Sequence, residues 1–199
     1  MGDLSMKNKK LLNHILEAIQ LNDPLPLNLV VAGQKPSTFI TINFNKNISI
    51  INYKLFVHPE HKHVFLFIEQ RGHKSVNIMI FNELAISKIL PLLNKSQSTY
   101  RIKSAKAYIK IQRAYYKHRN LDKDKRSGFM VITGIGFGYP AKGAQIFAKE
   151  ILSGNFRDDR IAYATTYSGS LVFIGYPSTH KESEKLVRKW NIFFKKMKR

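Results

Sequence analysis

Between Tyr100 and Arg126 the chain sets Arg101, Lys103, Lys106, Lys110, Arg113, Lys117, Arg119, Lys123 and Lys125 around Tyr108, Tyr115 and Tyr116. Cationic side chains neutralise phosphates and release the counterions condensed on a polyanion. Aromatic faces stack on unpaired bases, at ~1–3 kcal/mol per base. As a helix, the segment gathers Lys103, Lys106, Lys110 and Arg113 on one side; as a strand, it puts Lys106 and Lys110 on the face of Tyr108. Both make a positive stripe, and periodicity does not choose between them. Ala107, Ile109 and Ile111 alternate, while Ala105, Tyr108, Ile109, Gln112, Tyr115 and Tyr116 fall at helical spacing. The bland alternative is a solvated face whose tyrosines belong to the core.

Other segments carry chemistry of different kinds. The stretch Ile109-Lys110-Ile111-Gln112-Arg113, continuing to Arg119, resembles the IQ helix that binds calmodulin, with Tyr116 at the place of its central Arg and Lys117 at that of its Gly. Thr133-Gly134-Ile135-Gly136-Phe137-Gly138 resembles the glycine-rich turn of Rossmann-type dehydrogenases, which implies backbone N–H groups cradling a phosphate. Pro140 and Ala141 stand where the third glycine of that turn belongs, and a glycine-rich strand end approached by another backbone is the expected role. His58, Glu60, His61 and His63 are zinc-donor types within six residues, but Lys62 lies among them and the segment reads as an exposed turn. Metal-dependent phosphodiester cleavage needs clustered carboxylates. Asp158, Asp159 and Glu69 are the nearest approach to such a cluster, with Glu69-Gln70-Arg71 similar to an acid-x-Lys nuclease pattern.

The elements that must position these residues follow from hydrophobic period. Leu11, Leu12, Ile15, Leu16 and Ile19 share one helical face, and the helix should stop near Asn22-Asp23-Pro24. Residues 38–81 form short runs separated by turns at Asn45-Lys46-Asn47, His58–Lys62 and Arg71–Lys74, alternating except at Val64–Ile68, which is apolar on both faces; this predicts an antiparallel meander of about four strands. Asn82 should cap a helix from Glu83 to about Leu90. In the second half a charged loop is expected from Asn120 to Gly128. A strand follows at Phe129–Ile135, a helix at Ala141–Leu152 and strands at Ile161–Thr166 and Leu171–Ile174. A terminal helix is expected from about Lys181, capped by Thr179. Its stripe of Leu186, Val187, Trp190, Phe193, Phe194 and Met197 is flanked by Lys185, Arg188 and Lys189, so it can dock on a sheet or lie on anionic membrane.

The whole chain has 199 residues, enough apolar material for a core at 44%, and a net charge of +20. Residues 1–99 carry 11 basic and 6 acidic side chains, against 22 and 7 in residues 100–199. Such a balance points to a polyanionic partner met mainly by the second half. The chain has no cysteine, which excludes disulfides and thiolate metal sites. No secretory signal or membrane-length apolar run is visible, so an intracellular setting is expected. The expected fold is α+β, with antiparallel meander sheets covered by helices. It is read as one basic domain over residues 1–199, in two loosely similar halves (1–98 and 99–199) that each end strand, strand, helix. That layout is similar to Whirly-type single-strand binders, and its strand–turn–strand–helix ending to the TATA-binding-protein repeat.

The expected function is non-enzymatic nucleic-acid binding. Phosphate contacts and stacking are assigned to Arg101, Lys103, Lys106, Tyr108, Lys110, Arg113, Tyr115, Tyr116, Lys117, Arg119, Lys185, Arg188 and Lys189. No cofactor and no metal is expected. The alternatives are a matrix-type protein that holds anionic membrane and self-associates as a homo-oligomer, and a metal-dependent nuclease.

Overall fold

The computed structural model describes residues 6–22, 24–44, 54–70, 74–117, 122–156, 158–165 and 168–197. Helices α1 (Met6–Asn22) and α2 (Pro24–Val31) come first. Strands β1 (Ser37–Asn43), β2 (Lys54–Val57), β3 (Val64–Gln70) and β4 (Ser75–Asn82) form one antiparallel sheet in the order β1-β4-β3-β2. The meander is β2-β3-β4, and β1 lies beside β4, with Ser37 opposite Phe81 and Asn43 opposite Ser75. The proposed turns at Asn45–Asn47 and Arg71–His73 lie outside the described residues.

Side chains of a strand alternate between faces, and this sheet has a helical layer on each. Leu66 and Ile68 of β3 and Val76, Ile78 and Ile80 of β4 pack against Leu12, Ile15 and Ile19 of α1 and Leu27 and Val30 of α2. Phe67, Met79 and Phe81 point the other way, into a larger core built from the helices that follow. A sheet covered twice has no wet face, which explains why β3 and β4 are apolar nearly throughout. Asn82 ends β4 and ties the layers together. Its Oδ1 accepts from the Ala85 amide at 2.9 Å, capping α3 (Glu83–Ser96), and its Nδ2 donates to the Val30 carbonyl of α2 at 2.8 Å. Helix α3 runs six residues beyond its expected end, with Pro91 inside it.

Residues 105–117 are helical throughout, as α4 (Ala105–Lys117), followed by α5 (Lys123–Gly136) and α6 (Ala141–Ser153). The strand expected at Phe129–Ile135 is therefore corrected to helix, and so is most of the loop expected at Asn120–Gly128. The β-branched run Val131-Ile132-Thr133 favours a strand locally. It is overridden because Asp122 caps the first turn, accepting from the Lys125 amide at 2.8 Å, and because Phe129, Val131, Ile132 and Ile135 are all buried among helices.

The glycine-rich segment ends α5 instead of linking a strand to a helix, so its likeness to a dinucleotide turn does not extend to structure. Its glycines allow close packing. A Cβ on Gly134 would lie 2.8 Å from that of Ala144 on α6, and one on Gly136 would strike the hydroxyl of Tyr108 on α4. Strands β5 (Ile161–Thr165) and β6 (Ser168–Gly175) form a separate antiparallel pair. A 3-10 turn at Pro177–Thr179 leads into α7 (His180–Met197), so Thr179 sits in the turn before the helix. Trp190 and Phe194 of α7 meet Leu29 of α2 in a third core cluster. Both halves do end strand, strand, helix, but three helices precede that ending in the second.

Candidate nucleic-acid interface

The basic segment begins in a loop held by two side-chain amides. Gln97 Nε2 donates to the Tyr100 carbonyl and its Oε1 accepts from the Tyr100 amide, both at 2.7 Å. Asn94 does the same for Ile102: its Nδ2 donates to the carbonyl at 2.9 Å and its Oδ1 accepts from the amide at 2.8 Å. Each amide replaces the two backbone partners that a neighbouring strand would supply. Ile102 is buried, while Arg101 and Lys103 on either side of it are exposed. Ser104 then caps α4, its Oγ accepting from the Ala107 amide at 3.1 Å.

On α4 the apolar side enters the core and the other side stays wet. Lys106 and Lys110, four residues apart, are exposed, and i,i+4 spacing puts them side by side. Among the described residues none of Arg101, Lys103, Lys106 and Lys110 is paired with a carboxylate. Lys125, by contrast, is tied to Asp122 at 2.8 Å. That contact, followed by the bond from the Lys125 amide, lowers the Asp122 carboxyl below its usual range, and the Asp122 carboxylate in turn raises the Lys125 ammonium. Tyr100 donates its hydroxyl to the Lys125 carbonyl at 3.0 Å, which joins the loop to the start of α5. Burial, reinforced by the Asp122 charge, raises its phenol pKa.

The aromatic half of the expected site is placed differently. Tyr108 is wholly buried at 0% exposure, with its hydroxyl near Ser37 Oγ (3.3 Å) and the Ile132 carbonyl (3.4 Å). A base cannot reach it, so Tyr108 is a core residue and not the stacking residue expected from its sequence position. Tyr115 is half-buried and stacked on Phe129, centroids 3.7 Å apart and planes 10° from parallel. Arg113 is half-buried, its guanidinium 5.5 Å from the Phe67 ring centroid, a cation–π distance. The side chains of Tyr116 and Lys117, and all of Arg119, lie outside the described residues. Ile109 and Gln112, which an IQ helix would offer to calmodulin, are buried, and Gln112 bonds Thr133 of α5 at 2.9 Å.

Lys185, Arg188 and Lys189 are exposed on α7. That helix rests on β5 and the 3-10 turn, whereas α4 rests on α3 and α5, so the two cationic groups have separate supports. Trp190 and Phe194, central to the stripe that a membrane would take up, are in the core.

For the remaining chemistry, Glu69 is buried and accepts from Asn77 Nδ2 at 3.1 Å, while Asp158 and Asp159 are exposed. Among the described residues no group of three His, Cys, Asp or Glu is placed to hold a metal ion, and no helix is long and apolar enough to cross a membrane. The residues that sequence reading missed are Asn94 and Gln97. Gln97 grips a residue three positions on, a local pattern; Asn94 reaches eight positions and leaves no sequence signal. Comparison with protein families, with characterised proteins and with solved structures found no match to this chain.

Proposed function

We propose that the chain binds nucleic acid through phosphates, using Arg101 and Lys103 of the pinned loop and Lys106 and Lys110 of α4. The observation that carries this reading is a run of four exposed cations with no carboxylate partner among the described residues, on a backbone fixed by Asn94, Gln97 and the Ser104 cap. A fixed backbone lowers the ordering cost of binding. With Tyr108 buried and Tyr115 stacked on Phe129, phosphate contacts carry the affinity, which makes it tolerant of sequence.

The test is a salt titration of oligonucleotide affinity. Lys106→Ala with Lys110→Ala removes two contacts at exposed helical positions where alanine is well tolerated. The slope of log K against log salt should shrink by about 2 on duplex DNA, close to one unit per lost contact. An unchanged slope would reduce these residues to a solvated face.

A further inference from the structure

A cavity of about 550 Å³ lies between α5 and α6, closed on one side by Tyr115 of α4. It falls in the size range of small-molecule sites, about 300–1,000 Å³. Its walls carry the rings of Tyr115, Phe129, Phe137, Tyr139 and Phe147, and no charged side chain. Tyr139 is held neutral, since burial raises its hydroxyl pKa. The Thr133 hydroxyl in the wall is already engaged, accepting from Gln112 Nε2 at 2.9 Å and donating to the Phe129 carbonyl at 2.8 Å. Phe147 is 43% exposed, so the cavity has a mouth.

These walls select against a nucleobase. Its ring N–H and C=O groups would be buried with too few partners, and each one left unpaired opposes binding. Hydrocarbon meets no such cost and gains with every methylene taken out of water. The polar end of the ligand must then sit at the mouth. There the field of a chain of charge +20, with exposed Lys142 next to the lining residue Gly143, favours an anion. We infer that the α5–α6 cavity is a binding site for an acyl chain with an anionic head, supplied as a free fatty acid or from an anionic lipid. This goes beyond the phosphate surface and does not depend on it.

Methionine-methyl NMR tests the site directly. Met130 lines the cavity, Met79 lies in the core and Met197 is exposed on the basic helix α7. Oleate titrated into the full chain below its micellar concentration should shift and saturate the Met130 signal, leaving Met79 and Met197 in place. Vesicles of phosphatidylcholine containing phosphatidylglycerol form the second arm. A Met130 response to vesicles without one to oleate assigns the chain to membrane lipid, and a response to oleate assigns it to the free acid. No Met130 response in either arm, or Met197 moving in step with Met130, overturns the inference. Phe147→Asp, at the half-open mouth, should weaken oleate binding by about tenfold or more by placing a carboxylate beside the anionic head. Lys106→Ala with Lys110→Ala should leave oleate binding unchanged, so failure of the phosphate reading and failure of this one are separable.

Discussion

His58 is 8% exposed, and its Nδ1 accepts from the Glu60 amide at 3.2 Å. Burial lowers its pKa, and His61, with its ring centroid 4.8 Å away, lowers it further; Glu60 opposes and His63 adds a smaller push down. A histidine whose folded pKa lies below its free value holds protons more tightly in the unfolded chain. Its contribution to stability is therefore complete above the free-histidine value of 6.5 and is lost as pH falls from there toward the lowered folded pKa. Urea midpoints measured across this range should drop with acidification. His58→Asn, which keeps an acceptor for Glu60, should flatten that drop, and an equal drop in the variant would refute the assignment. The same contrast explains which site residues were legible. A lysine keeps its charge in water wherever its backbone goes, so Lys103, Lys106 and Lys110 could be placed outside from type and spacing alone. Tyrosine has an apolar body and a polar tip and suits either side. Tyr108 is in the core because α5 brings a glycine to its hydroxyl, a contact 28 residues away in sequence.

At the scale of elements, the α4–α5 contact depends on that glycine. Tyr108 and Gly136 occupy one space, since a Cβ on Gly136 would also lie 2.8 Å from Tyr108 Cζ. Gly136→Ala should destabilise by about 1–3 kcal/mol through overpacking. Tyr108→Phe removes the oxygen that a new Cβ strikes, so the double variant should lose less than the two single losses added together. Denaturant titrations of the four proteins measure this coupling, and strict additivity would mean that the helices do not meet there. Elements were legible where one period dominated, as in α1 and α7, or where a short apolar run lay between turns, as in β3 and β4. Where a segment is buried on all sides the period disappears: Phe129–Ile135 reads as a strand by composition and is a helix because α4 and α6 flank it. Both signals coexist in residues 105–117, and the Ser104 cap together with the core face of Ala105, Tyr108, Ile109 and Gln112 selects the helix.

At the scale of the molecule, charge and core are segregated. The sheet and its two helical layers absorb the apolar residues of both halves, which is why hydrophobic patterning was enough to expect a covered α+β fold. The order β1-β4-β3-β2 was not legible, because pairing β1 with β4 or with β2 satisfies the same alternation of side chains. The surface is left with a net charge of +20, and that charge acts against the fold that displays it. Like charges repel over a Debye length of about 30 Å at 10 mM salt, which contracts to about 10 Å at 100 mM. At low salt Lys185, Arg188 and Lys189 of α7 therefore feel the remaining cations of the molecule, and at high salt only their neighbours. Sodium chloride raised from about 10 to about 100 mM should accordingly raise Tm, by about 2–4 °C for each kcal/mol of repulsion screened in a chain of this length. Replacing those three α7 cations with glutamine removes part of the repulsion without adding a carboxylate that could form new pairs. The variant should start from a higher Tm at low salt and rise less. A Tm that falls with salt in the parent, or rises equally in both proteins, would show that the basic surface is balanced locally and has no need of a polyanion to relieve it.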